Sequence, residues 1–171
     1  WWPVYIGNSV RGQQKTCGFS VPDTPPVHIY RPPPDRMPDV IHRDRHLMIV
    51  DKPPGLLTVP GRTPDRADCL ISRVQRVVPE ALIVHRLDMD TSGLVILALS
   101  TDMQRELSRL FRERLIRKEY IAEVFGMPDQ KSGTIDLPLI CDWPNRPRQM
   151  VDFENGKLAV THWEITGKTK L

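Results

Sequence analysis

No stretch of this 171-residue chain approaches the roughly 18 consecutive apolar residues that a membrane-spanning helix requires. No basic-then-apolar segment with a small-residue cleavage site opens it either, so the expectation is a soluble, cytoplasmic protein. Cysteine is scarce. Cys17, Cys69 and Cys141 are odd in number and too far apart for a CxxC or zinc spacing, which suggests neither a disulfide framework nor a metal knuckle. Missing too is a glycine-rich loop that could cradle phosphates, which weakens any phosphotransferase reading.

With 40% hydrophobic and 26% charged residues, the chain is long enough for one globular domain and a tail. Net charge is +3, mildly basic and compatible with a nucleic-acid partner without requiring one. Between Thr101 and Lys118 six basic residues (Arg105, Arg109, Arg112, Arg114, Arg117, Lys118) face three acidic ones, a local excess equal to that of the whole chain. That segment is either a nucleic-acid contact or an ordinary solvated helix face. Residues 1–40 hold eight of the seventeen prolines and show neither helical nor strand periodicity. They are expected to be a disordered, proline-rich arm. The chain opens on Trp1 rather than methionine, as expected of a fragment or a processed product.

Order is expected from about His46, where HLMIV reads as a short strand ended by the turn-forming DKPPG, and LLTVP resumes in extended form. Residues 68–78 predict a short helix with Leu70, Val74 and Val77 or Val78 on one face, ended by Pro79. LVILALS, at 94–100, lacks polar alternation and predicts a strand buried on both faces. Thr101 with Gln104 fits a capping box opening a helix of about four to five turns, its stripe formed by Met103, Leu107, Leu110, Phe111 and Leu115. EYIAEVFG and LAVTHWEIT alternate as strands do. The sum is an α+β domain on a mixed, mostly antiparallel sheet with flanking helices.

Directly before the LVILALS run stands VHRLDMDTSG, residues 84–93. In an extended stretch Arg86, Asp88 and Asp90 alternate onto one side. Gly93 tolerates unusual dihedrals, and Thr91 and Ser92 can bond local amides, so the backbone can turn sharply there and present Asp88. On residue types alone, Asp88 as turn former and Arg86 as ion-pair partner remain as good a reading as a reactive carboxylate beside a phosphate-binding arginine.

HRLDMDTSG at 85–93 resembles the HRLDxxTSG motif of the RluA-type pseudouridine synthases. LMIVDKPPGLLTVPG at 47–61 resembles that family's lysine-proline-glycine turn segment, and RKEYIAEVFG at 117–126 its K-x-Y-x-A-x-V-x-G strand. DLPLICDWPNRPRQMV at 136–151 is similar to the RluA branch, whose members isomerise a uridine in large-subunit rRNA and one in a tRNA anticodon stem-loop. The resemblance implies the pseudouridine synthase catalytic fold over 41–171, an RNA substrate, a monomer, and no cofactor or metal. It implies that Asp88 is the catalytic carboxylate, as nucleophile or base. A single aspartate suffices, because uracil is both leaving group and returning nucleophile and no water is activated. Tyr120 matches the tyrosine that packs against the target base, although a core strand tyrosine is the plainer reading of the residue itself. Arg86 matches the arginine that replaces the flipped nucleotide.

Two other readings compete. His42 and His46, four apart in HRDRH, suit a metal on a helix but have no third ligand, and Asp88 with Asp90 could serve a magnesium-dependent nucleic-acid hydrolase. Trp143, Asn145, Arg146 and Arg148 could contact RNA by stacking and phosphate pairing, or simply form a surface proline turn. The family's downstream G-R-x-H-Q-x-R motif, whose arginine pairs with the catalytic aspartate, does not occur before Leu171. The catalytic domain is therefore expected to lack its C-terminal part, with a catalytically inactive RNA-binding remnant as the alternative.

Overall fold

The computed structural model describes residues 29–124, 126, 128–144 and 148–167. Most of the proline-rich arm, residues 1–28 with Cys17, lies outside them, as do Asn145 and Arg146. The chain divides after Tyr120 into two compact units.

In the first unit, Asp44 breaks the opening extended run into a hairpin of β1 (Asp39–Arg43) and β2 (Leu47–Lys52). Its carboxylate accepts from the amides of His46 at 2.7 Å and Leu47 at 2.9 Å. Those amide bonds, Leu47's foremost, hold its pKa at about 2. β2 pairs with β4 (Gly93–Ala98), and β4 with the short β3 (Leu82–Ile83), giving the antiparallel order β1-β2-β4-β3.

Side chains alternate across this sheet. Met48, Val50, Val95 and Leu97 face a core completed by Leu70, Ile71, Val74 and Val78. On the other face Leu94 is 57% exposed, Ile96 half-buried and Ala98 fully buried, so LVILALS is covered there only toward its C-terminal end. One element supplies the helical members of the cluster on the fully buried face.

That element is α1 (Leu70–Gln75), shorter than the 68–78 expected. The amides of Val77 and Val78 both return to the Val74 carbonyl, a tight closing turn that buries Val78 and leaves Val77 outside. α1 is too short to stand alone. Its first amides are satisfied by tertiary partners, Leu70 N–H donating to the Leu57 carbonyl at 2.7 Å and Ile71 N–H to the Thr58 carbonyl at 3.2 Å.

α2 (Thr101–Arg112) begins one residue earlier than the capping-box reading required. Ser100 is its cap, with Oγ accepting from the Met103 amide at 3.2 Å, while the Gln104 side chain donates to the Ile83 carbonyl at 2.8 Å. The helix ends after twelve residues, because Arg114 turns left-handed at φ 58° and the Leu115 amide closes on Leu110. Leu115, expected on the apolar stripe, is consequently exposed.

Residues 29–38, assigned from sequence to the arm, lie against α1. Tyr30 is buried, its hydroxyl donating to the Asp68 carbonyl at 2.9 Å and accepting from the Leu57 amide at 3.1 Å. Arg73, buried on α1, grips Asp68 through Nε at 2.8 Å and Nη2 at 2.7 Å, and reaches the carbonyls of Pro33 and Pro34 at 2.8 and 2.9 Å. Periodicity is absent here because side chains on α1, not a repeating pattern, order the segment.

The second unit, Ile121–Leu171, pairs β5 (Ser132–Asp136) with β8 (Val160–Glu164), and β6 (Leu139–Cys141) with β7 (Gln149–Val151), both antiparallel. Trp163 lies over Gly133 so closely that a Cβ there would meet its ring at 2.9 Å. The strand expected at EYIAEVFG is not formed: residues 117–124 have no strand assignment, and among the described residues no strand pairs with them. Alternation alone does not make a strand whose backbone groups lack a ladder partner.

Replacing Arg73 by Met leaves the Asp68 carboxylate and two strap carbonyls without their donor. Urea unfolding should show a loss of about 1–3 kcal/mol. A loss below about 1 kcal/mol would mean that the strap is not held by this side chain.

Candidate active site

Residues 84–92 join β3 to β4, and their exposure alternates. Arg86, Asp88 and Asp90 are exposed, Leu87 is buried and Met89 half-buried. The Thr91 amide closes a turn on the Asp88 carbonyl at 3.1 Å, and Gly93 carries a φ of +118° that a side chain would strain. The segment therefore displays three charged side chains at the β4 entrance while keeping its apolar members inward.

Buried groups hold this backbone. Lys52 ends the inward-facing series Met48, Val50, Lys52 of β2 and is fully buried. Its ammonium donates to the carbonyls of Leu56 at 2.7 Å, Met89 at 2.9 Å and Pro53 at 3.0 Å. Burial pushes its pKa down to about 8, against the pull of the Asp90 and Asp88 carboxylates. Thr58, also buried, donates its hydroxyl to the Leu87 carbonyl at 2.6 Å and accepts from the Leu87 amide at 3.2 Å.

His85 fixes the segment's other end. Its Nε2 accepts from the Ile96 amide at 3.0 Å, which places the proton of the neutral ring on Nδ1. The ring stacks on Phe111 of α2 with centroids 4.3 Å apart, and burial, with the Lys118 charge, pushes its pKa down. Lys52, Thr58 and His85 were not singled out from sequence. The available signals were Lys52, a lysine in the inward register of an apolar strand, and His85, which opens the HRLDMDTSG stretch.

The sequence-nominated residues are gathered only in part. Arg86 and Asp88 share the turn, and no ion pair joins Arg86 to Asp88 or Asp90 among the described residues. Tyr120, the last residue of the first unit, is 60% exposed in the unpaired 117–124 segment, with no hydrogen bond or ring contact to Asp88 among the described residues. Along α2, Arg105 pairs with Asp102 at 2.8 Å, and Arg109 pairs with Glu106 at 2.6 Å and Glu113 at 2.5 Å. These pairs use all three acids of the segment, and the net excess of three basic charges remains.

Metal chemistry finds little to work with. His42 and His46 flank a hairpin turn rather than sharing a helix face; His42 bonds Asp44 at 3.3 Å and His46 Nε2 faces Arg45 Nε at 2.7 Å. No group of three His, Cys, Asp or Glu residues suited to a metal ion gathers among the described residues, around Asp88 and Asp90 or elsewhere. Trp143 is exposed beside β6, and Arg148 precedes β7. Among the described residues no helix is long and apolar enough to cross a membrane.

Residues 46–170 match the family described as RNA pseudouridylate synthase. The dual-specificity RNA pseudouridine synthase RluA of Escherichia coli strain K12 is 50% identical over 136 residues, 80% of this chain and 62% of the relative. Its namesake from Yersinia pestis is 53% identical over 129 residues, 75% of this chain and 63% of the relative. The chain thus spans about three fifths of these relatives' length. Among solved structures, human RNA Pseudouridylate Synthase Domain Containing 4 superposes with a TM-score of 0.54 at 20% identity, over 76% of this chain and 54% of that one. That likeness is one of fold.

Because the folded-state pKa of Lys52 lies below its unfolded one, the buried charge costs stability at neutral pH, and the cost lifts as pH rises past about 8. Urea unfolding at about pH 7 and about pH 9.5 should show the protein gaining stability at the higher value. Lys52→Met should lose that gain. An equal gain in both proteins would assign the effect to another group.

Proposed function

The chain belongs to the RNA pseudouridylate synthase family, and we propose that the protein of which it is part isomerises uridine to pseudouridine in RNA. The substrates are a uridine of large-subunit rRNA, one of a tRNA anticodon stem-loop, or both, by similarity to relatives named for dual specificity. We place it in the cytoplasm as a monomer that needs neither cofactor nor metal ion.

The observation that carries this reading is the presentation of Asp88. A carboxylate on a plain surface turn needs no buried lysine or threonine behind it, yet here the residues on both sides are held by such groups while Asp88 itself faces outward. Such fixation suits a group that must meet a reacting atom at a set angle. Asp88 attacks the nucleoside as a nucleophile or takes a proton from its sugar. In either case the glycosidic bond breaks, uracil turns within the site, and the ring is rejoined to the sugar through carbon.

Arg86, exposed two residues from Asp88, is the side chain we assign to the stack position vacated by the flipped nucleotide. Tyr120 supplies a ring face for the extruded base and a hydroxyl for the proton that leaves its carbon. Asp90 needs no part in the chemistry.

In the full-length protein, Asp88→Asn should lower pseudouridine formation by at least about a thousandfold while RNA affinity stays within a few-fold, since the neutral isostere keeps shape but loses nucleophilicity. Retained turnover would remove Asp88 from the chemistry. Asp90→Asn should remain active within about tenfold. A loss as complete as that of Asp88→Asn, or restoration by added magnesium of activity lost on chelation, would favour the metal-dependent hydrolase reading instead.

A further inference from the structure

Thr58 stands behind the turn that carries Asp88. The residue lies on the extended segment after the DKPPG turn, is 3% exposed, and touches the Leu87 peptide with one hydroxyl in two senses. It donates to the Leu87 carbonyl at 2.6 Å and accepts from the Leu87 amide at 3.2 Å. One side-chain oxygen thereby satisfies both backbone groups of the residue immediately before Asp88.

The hydroxyl can do this because its own backbone is pinned. The Leu57 amide donates to the Tyr30 hydroxyl at 3.1 Å, the Leu57 carbonyl accepts from the Leu70 amide at 2.7 Å, and the Thr58 carbonyl accepts from the Ile71 amide at 3.2 Å. Segment 57–58 is therefore held by the N-terminal strap on one side and by the open end of α1 on the other. A turn that is exposed at Asp88 has no strand ladder of its own to set its dihedrals, and the Leu87 peptide inherits its orientation from this anchored neighbour.

We propose that Thr58 is a positioning residue for Asp88: by fixing both polar groups of the Leu87 peptide it sets the direction in which the Asp88 carboxylate leaves the backbone. This rests on Asp88 being the reacting carboxylate. Thr58 touches no substrate. Its hydroxyl, rather than its methyl, carries the role, so serine can replace it and valine, of nearly the same shape, cannot.

The test uses the full-length protein with Thr58→Val and Thr58→Ser, single-turnover pseudouridine formation at saturating RNA, RNA affinity, and hydrogen exchange of the Leu87 amide. Thr58→Val should lower the saturated rate by about tenfold or more and leave affinity within about threefold, while Thr58→Ser should stay within about threefold of the parent rate. The Leu87 amide should be protected in the parent and exchange at least about tenfold faster in Thr58→Val. A Thr58→Val rate within about twofold of the parent, equal losses in both variants, or a loss confined to affinity would overturn the proposal. Should Thr58→Val fail to fold, an unprotected Leu87 amide in the parent, or a rate loss of about tenfold in Thr58→Ser, overturns it just as well. A parent with no turnover sinks the isomerase reading instead, and the change in Leu87 exchange then decides the Thr58 contact by itself.

Discussion

The site depends on one buried ammonium. An exposed loop that is to offer a carboxylate at a fixed angle cannot bury its own backbone in a ladder, so its carbonyls must find donors elsewhere. Lys52 supplies three at once, to Pro53, Leu56 and Met89, and so ties the turn that follows β2 to the turn that follows Asp88. A buried hydrogen-bond group left unmade costs about 1–3 kcal/mol, so three carbonyls sharing a donor outweigh any single apolar contact nearby. The arrangement needs a long, charged side chain with three protons, and among side chains the lysine ammonium alone offers three donors on one atom.

The segment after Lys52 rests in turn on α1, a helix of six residues too short to form by propensity alone, whose first amides are tied to it. Its first amides close on Leu57 and Thr58, the segment whose hydroxyl meets Leu87, while Arg73 on its body binds the strap through backbone carbonyls. The Asp68 carboxylate, held below its usual range by the Arg73 hydrogen bond, keeps that guanidinium ion-paired at neutral pH. Residues 29–38, helix and loop are thus tied into one connected frame behind the turn that carries Asp88.

Elements with strong local signals were legible in the sequence. β2, β4, α2 and β8 lie where runs of apolar residues with the proper period place them, and the glycine at 93 takes the dihedral it was suspected of needing. What escaped was set by tertiary partners. Ser100 rather than Thr101 caps α2 because Gln104 is drawn to the Ile83 carbonyl, a contact no local pattern contains. Residues 117–124 carry strand alternation without a ladder partner among the described residues, and Leu94 is exposed because the core packs on the opposite face. Asp88, Arg86 and Tyr120 were nominated through motif resemblance alone, and the hydroxyl of Thr58 that holds the Leu87 backbone gave no local signal. A threonine in an extended run looks the same whether its hydroxyl meets water or a peptide.

The charge pattern of α2 bears on how RNA could be met. Arg105 and Arg109 spend their charges on acids of the same helix, one turn away. Such pairs cancel at a distance, so beyond a Debye length of about 8 Å the helix attracts a polyanion less than its arginine count suggests. Each exposed pair is weak, however, and a phosphate oxygen is as good an acceptor as a carboxylate. Exchange of partner therefore costs little. The intrahelical acids keep long arginine side chains extended and partly ordered without committing them, which lowers the entropy lost when a phosphate takes the place of Glu106 or Asp102. Attraction at long range then rests on the net excess of three positive charges over residues 101–118, which pairing within the helix leaves in place.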